Sequence, residues 1–180
     1  MFHLYGFFIG LAIVTGYSIA EKIEPRVKEG AGYVIISGIV GARIYHVLDF
    51  WSYYSTHLNE IFYVWNGGLS IWGALIAGGI AIYIYHYTNK TLNHLQSIMG
   101  AVVTGLPLAQ AIGRLGNGVN NEFTNLVLGI PWWGMEAMLD LVLFAIIWGL
   151  TLRGQSSQVR VAVYLLGYGI IRYLLQPYRA

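Results

Sequence analysis

Gly113-Arg114-Leu115-Gly116-Asn117-Gly118-Val119-Asn120-Asn121-Glu122 closes a long apolar run with an arginine, three asparagines and a glutamate. In a water-soluble protein this would be an ordinary polar loop. Here the surrounding chain decides otherwise: its 180 residues are 57% hydrophobic and 10% charged, where a soluble domain carries about 25% charged residues. Such a deficit indicates a surface that faces lipid. A charge at membrane depth is costly and persists mainly where it is paired or meets water. The stretch therefore marks the end of a membrane helix and the place where chemistry concentrates.

Outward from it, six apolar stretches are long enough, or nearly so, to cross a hydrocarbon core that needs about 20 helical residues. They run from His3 to Ala20, Ala31 to Phe50, Leu69 to Tyr87, His94 to Gly113, Trp132 to Leu152 and Val159 to Gln176. Backbone groups in lipid must be satisfied within the segment, so these are helices. The prediction is an all-α integral membrane protein: one domain over residues 1–180, a bundle of about six transmembrane helices. His3 to Ala20 lacks the basic flank of a cleavable signal peptide and is read as a retained span. Trp51, Tyr53, Tyr54, Phe62, Tyr63 and Trp65 crowd the segment after the second span, and no Lys or Arg lies among them. Aromatic rings are enriched at lipid–water boundaries, so an interfacial segment is expected there. Lys22, Arg26, Lys28, Lys90 and Arg153 fall on alternate connections, with Arg160 just beyond the last of them. That asymmetry predicts cytoplasmic first, third and fifth loops, with the N-terminus and the Arg114 stretch outside. Gly6-x-x-x-Gly10 and the Gly73 to Gly79 run suit close helix packing.

Several function classes drop out. The absence of Cys removes disulfides, thiolate metal sites and a cysteine nucleophile. A net charge of +2 without a basic run gives no reason to expect nucleic acid. No His or acidic cluster has metal-site spacing, so no metal is predicted.

What remains is a set of polar residues in apolar surroundings. Arg114 offers a planar fork that matches phosphate or carboxylate, and Gly116 and Gly118 permit tight backbone turns beyond it. The plain alternative is an arginine snorkelling to headgroups from a helix end. Arg172 stands several residues short of the outer end of the last span, with Gln176 one turn on and on the same face. Two arginines entering one cavity from different helices would clamp an anion; otherwise each anchors its own helix. Arg43, His46 and Asp49 share a face at i+3 spacing, as an intrahelical ion pair or with His46 as a proton carrier. Glu136 fits a carboxylate near a helix N-terminus. Asp140, a turn deeper, is expected to face a polar interior or an arginine. Tyr5 reads as an interfacial tyrosine at the outer end of the first span.

Taken in order, Tyr5-Gly6, Gly41-Ala42-Arg43, Trp65-Asn66-Gly67-Gly68-Leu69-Ser70, Gly113-Arg114-Leu115-Gly116-Asn117 through Asn120-Asn121-Glu122, and Gly167-Tyr168-Gly169-x-x-Arg172 resemble the bacterial prolipoprotein diacylglyceryl transferases. The resemblance implies a multi-pass enzyme of the inner membrane with its active site on the extracytoplasmic side. Such an enzyme moves a diacylglyceryl group from phosphatidylglycerol to the lipobox cysteine thiol of a prolipoprotein, releases glycerol phosphate, and needs no cofactor. It also implies Arg114, Arg172, Glu122 and Tyr5 as catalytic residues, and Asn117, Arg43, Gly116, Asn120 and His46 as residues that bind substrate. Some positions depart from the family pattern. Trp72 stands where the family has a histidine, and Gln176 where an acid is expected. The run before the fifth span keeps only Pro131 and Glu136. The head region between Glu122 and Pro131 is short, and the pattern continues into a further helix beyond residue 180. These departures leave two alternatives open: an anionic-lipid-binding membrane protein without catalysis, or a transferase with another donor or acceptor.

Overall fold

The computed structural model describes residues 4–64, 68–91 and 94–178, apart from the side chains of Tyr5 and Ile71. The described chain is an all-α membrane protein. Its helices are α1 (Leu4–Ile23), α2 (Val27–Asp49), α3 (Trp51–Tyr54), α4 (Ile71–Thr88), α5 (Leu95–Val119), α6 (Trp132–Leu152) and α7 (Ser157–Leu175). The sole described sheet is a hairpin of β1 (Leu126–Val127) and β2 (Ile130–Pro131), with Val127 opposite Ile130. Four helices hold windows long and apolar enough to cross a membrane: Gly6–Ile23, Val27–Asp49, Leu95–Val119 and Trp132–Leu152. Helices α4 and α7, at 18 and 19 residues, also fall within the length range of crossing helices, about 17–25 residues. Large apolar side chains such as Ile36, Leu48, Leu75 and Leu166 stay exposed along these helices, as lipid contact requires. The chain divides into two compact units, Arg26–Leu95 and Met1–Pro25 with Gln96–Ala180.

In the first unit α2 packs along α4 through small residues. A Cβ on Gly41 would stand 2.6 Å from the Gly73 carbonyl oxygen, and one on Gly73 would stand 2.6 Å from Tyr45 Cβ. Real Cβ atoms do not approach that closely, so the crossing needs glycine on both helices. Gly41→Val or Gly73→Val should therefore destabilise the protein by about 1–3 kcal/mol or more. Thermal unfolding in detergent measures this, and an unchanged midpoint would refute the tight crossing. After α2, the aromatic segment sorts by face. Trp51, Phe62 and Tyr63 are exposed as an interfacial segment demands, whereas Tyr54 is only 7% exposed and turns inward. Trp65 lies outside the described residues.

In the second unit α1 runs antiparallel to α5. A Cβ on Gly105 would meet the Gly16 carbonyl oxygen at 2.6 Å, and Ile9 reaches Gly113. This alignment carries the first turn of α1, where Tyr5 sits, towards the Arg114 end of α5. The apolar core joins Val103 of α5, Trp132, Leu143 and Ile147 of α6, and Tyr164, Ile171 and Leu175 of α7. One expectation changes here. Helix α5 extends to Val119, so Arg114 lies inside the helix and not after it. Arg160, just beyond the last connection, is buried in α7 and donates to Ser157 Oγ at 3.1 Å and Thr104 Oγ1 at 3.3 Å. Hydroxyls on α5 and α7 take up its two terminal nitrogens, while Nε is buried without a hydrogen-bond partner.

Candidate active site

The site is built at one end of the second unit, where α5 ends, α6 begins and α7 ends. Because α5 continues through Gly116 and Gly118, Arg114 and Asn117 fall one turn apart on one face. Arg114 Nη1 donates to Asn117 Oδ1 at 3.2 Å. Gly118 lets the helix touch Trp133, whose ring a Cβ would meet at 2.8 Å. The helix then closes with the Glu122 amide donating to the Asn117 carbonyl at 2.9 Å. Asn121 and Phe123 follow at φ of 54° and 53°. Asparagine tolerates that left-handed conformation, whereas a bulky residue adopts it only under tertiary constraint. The constraint on Phe123 is its ring against Trp132, centroids 5.1 Å apart.

The turn brings Glu122 back over the helix end, where its carboxylate accepts from Asn117 Nδ2 at 2.7 Å and Asn120 Nδ2 at 3.0 Å. Glu122 thus acts on Arg114 through Asn117 and does not touch the guanidinium. The hairpin then leads into α6, its register closed by the Trp132 amide donating to the Asn125 carbonyl at 2.8 Å. Trp132 is fully buried and its indole Nε1 donates to the Leu175 carbonyl at 2.7 Å, which ties the start of α6 to the end of α7.

The two arginines meet on this scaffold. Arg114 Nε stands 2.9 Å from Glu136 Oε2, and Arg172 Nη1 stands 3.4 Å from Glu136 Oε1. The Arg114 contact is an ion pair by distance, with its N–H not aligned on the oxygen, since no hydrogen bond forms there. Both guanidinium carbons also lie by the Trp132 ring, 5.4 and 5.7 Å from its centroid. Arg172 Nη2 donates to Gln176 Oε1 at 3.2 Å, the same-face contact expected from the i+4 spacing. Glu136 is wholly buried, while the Arg114 and Arg172 side chains keep 21% and 25% exposure. A sealed carboxylate therefore holds two cations whose outer edges remain open. Their open edges carry N–H donors of the kind that match a phosphate or carboxylate.

Glu136 is the residue that sequence reasoning passed over. Its place near a helix start accounts for a carboxylate there without reference to the arginines, and only the fold brings α5 and α7 to it. Trp132 was likewise read only as the start of a span. Asp140, one turn below Glu136, is fully buried, and neither of its carboxyl oxygens has a hydrogen-bond partner. Gly116 is buried in α5 and Asn120 is exposed at its end. Tyr5 is on the first turn of α1; its side chain lies outside the described residues.

Arg43 and His46 belong to the other unit and have surroundings of their own. Arg43 Nε donates to the Ile61 carbonyl at 2.8 Å and Nη1 to the Gly68 carbonyl at 3.0 Å; Nη2 donates to the Glu60 carbonyl. These carbonyls hold the guanidinium where spacing alone offers an ion pair along the helix, and Asp49 is exposed. His46 lines a cavity of about 260 Å³ with Arg43, Tyr53, Tyr54, Glu60, Tyr63 and Gly68. Gly68, at φ 69°, is required there, because a Cβ would stand 2.6 Å from Arg43 Nη1 and from His46 Nε2. The Tyr53 hydroxyl donates to Glu60 Oε2 at 2.8 Å, and that bond holds the phenol above its ordinary range. Among the described residues no group of three His, Asp or Glu side chains has metal-binding geometry.

Comparison with known proteins decides the family. The family described as prolipoprotein diacylglyceryl transferase matches residues 1–180. The chain belongs to that family. The phosphatidylglycerol–prolipoprotein diacylglyceryl transferase of Streptococcus uberis is 34% identical over 98% of this chain and 79% of its own length. The protein of the same name from Clostridioides difficile is 33% identical over 97% and 77%. That of Lactococcus lactis subsp. cremoris is 37% identical over 72% and 52%. No solved structure matches. Trp72, at the position of the family histidine, is 63% exposed. No imidazole stands near the arginine pair in its unit among the described residues.

Proposed function

We propose that the chain transfers a diacylglyceryl group from phosphatidylglycerol to the lipobox cysteine thiol of a prolipoprotein, at the extracytoplasmic face of the inner membrane. The observation that carries this reading is the convergence of Arg114 and Arg172 on one buried carboxylate. The donor's phosphate binds the open outer edges of the two guanidiniums, which Glu136 holds together from behind. The sulfur then attacks the glycerol carbon, a carbon–sulfur bond forms, and the carbon–oxygen bond to phosphate breaks. The bonding electrons remain on the phosphate oxygen, so glycerol phosphate leaves with an added negative charge. Fixed positive groups aimed at that oxygen stabilise the developing charge, more strongly where water is excluded.

The thiol must lose its proton, since the thiolate is the nucleophile. Asn117 and Glu122 are positioning residues: they hold the Arg114 fork from its outer side. Tyr5 and Asn120 contribute to the headgroup surroundings. Arg43, with its donors on backbone carbonyls, holds the segment after α2 in shape and so contributes to binding indirectly.

The test is product formation. Purified protein, phosphatidylglycerol and a peptide with a lipobox cysteine are incubated, and mass spectrometry looks for the diacylglyceryl thioether. Product together with released glycerol phosphate supports the reading. Absence of product under conditions where the Streptococcus uberis relative turns over rejects it. Lipid binding that is lost on Arg114→Ala without any turnover would favour the non-catalytic alternative.

A further inference from the structure

We propose that the β1–β2 hairpin is a membrane contact: its tip dips into the apolar part of the leaflet at the arginine end of the second unit, with lipid acyl chains against it. This role is independent of transfer activity. Side chains alternate in direction from Leu126 to Leu128, as along any strand. Val127 is 8% exposed and belongs to the apolar core, whereas Leu126 is 62% and Leu128 93% exposed. A strand face turned to water is ordinarily polar; this one carries leucine at both positions. Nor does any Asp, Glu, Lys, Arg or His lie between Glu122 and Glu136.

The turn runs against its own residue preference. Val127 pairs with Ile130, which leaves Leu128 and Gly129 as the two turn residues, at φ of 51° and 82°. Positive φ at both positions of a two-residue hairpin favours Asn-Gly or Asp-Gly. Leucine is strained at the first of them. Phe123 has Trp132 to hold it in that conformation, but Leu128, at 93% exposure, has almost no packing within the chain. A partner outside the chain accounts for both the strain and the exposure. Covalent geometry identifies that partner as lipid. Val127 is in the core with Trp132, where the membrane-crossing window of α6 begins. Leu128 stands one residue, about 3.4 Å of strand, beyond Val127. The headgroup layer on each side of the hydrocarbon is about 5–8 Å thick. The tip therefore stays at the membrane boundary, where a leucine side chain is stabilised by leaving water. The Trp132 amide donating to the Asn125 carbonyl at 2.8 Å fastens the hairpin to α6. An anchored tip thus also fixes the level of the arginine pair in the leaflet.

The chain has no cysteine of its own, so a single introduced thiol reports its surroundings without background. The variants are Leu128→Cys, Leu126→Cys and, as an aqueous reference, Gln155→Cys on the exposed connection between α6 and α7. Each full chain is placed singly in nanodiscs of phosphatidylcholine and phosphatidylglycerol and reacted with a charged, membrane-impermeant thiol reagent. Dividing each rate by that of the same variant unfolded in denaturant removes intrinsic differences in thiol reactivity. Only the thiolate reacts and a thiol in apolar surroundings ionises poorly, so Leu128→Cys and Leu126→Cys should react about tenfold or more slowly than Gln155→Cys. A bimane attached to either hairpin thiol should be quenched by a nitroxide carried on lipid acyl chains and not by aqueous iodide. Equal normalised rates at the hairpin and at the reference position overturn the proposal. Slow reaction without nitroxide quenching overturns it as well, because the thiol then lies against protein. Fast reaction in lipid alone, with protection only after a lipobox peptide is added, also overturns it and assigns the tip to the precursor protein. Leu126→Cys reports from the same face, so a Leu128→Cys chain that fails to fold does not protect the proposal.

Discussion

Arg114→Lys should lower diacylglyceryl transfer by about 10²–10³-fold, the usual cost of removing one preorganised donor from a site of developing negative charge. Lysine keeps the charge, so attraction alone predicts little change. The geometry predicts otherwise. Arg114 uses two edges of one plane: Nε is turned to Glu136 at 2.9 Å and Nη1 to Asn117 at 3.2 Å. An ammonium is a point charge without that fork and cannot hold both directions at once. Arg172 is engaged in the same way, Nη1 towards Glu136 and Nη2 towards Gln176, so Arg172→Lys should follow. Steady-state kinetics with the lipobox peptide separates the effects. A fall in kcat with a modest change in KM fits a donor that matters most in the transition state. Full turnover in the Arg114→Lys/Arg172→Lys double variant would refute a geometric clamp.

Glu136→Ala should have the largest effect on stability. The carboxylate is wholly buried and neutralises cations from two other helices. Truncation leaves those cations facing one another without their shared partner, and breaking a buried pair typically costs about 3–5 kcal/mol. The Trp132 ring beside both guanidiniums offsets part of this, since a cation over an aromatic face contributes about 0.5–2 kcal/mol. Thermal unfolding in detergent should show a lower midpoint for Glu136→Ala. Added phosphatidylglycerol should restore part of the loss by supplying the missing anion, as any ligand specific to the folded state does. A midpoint equal to that of the wild type, unaffected by the lipid, would show that Glu136 does not hold the arginines together.

Much of the site was legible before any coordinates, and unevenly so. Arg114 and Arg172 stand out because charge is rare in apolar helices and each instance requires an explanation. Gln176 could be placed beside Arg172 because helical geometry puts i and i+4 on one face. The same local rule offered Arg43 an ion pair with Asp49, yet Arg43 bonds to carbonyls near residues 60 and 68. Those carbonyls come from a segment folded back over α2, and no spacing along α2 encodes that return. The end of α5 was read too early for a similar reason. Gly116 and Gly118 favour a turn when considered alone, but Gly118 is helical because Trp133 packs against it.

What the amino-acid order determined by itself is the class of the protein and the identity of its polar exceptions. Apolar runs of crossing length must be helices in lipid, because their backbone groups have no other partners. The tertiary structure alone decided which exceptions meet. Arg114, Glu136 and Arg172 come from three helices, and nothing local to any of them names the others as partners. The packing of α5, α6 and α7 around Trp132 brings them together. The physical reason is that burial makes an unpaired charge expensive, so the fold that seals Glu136 has to deliver both cations to it.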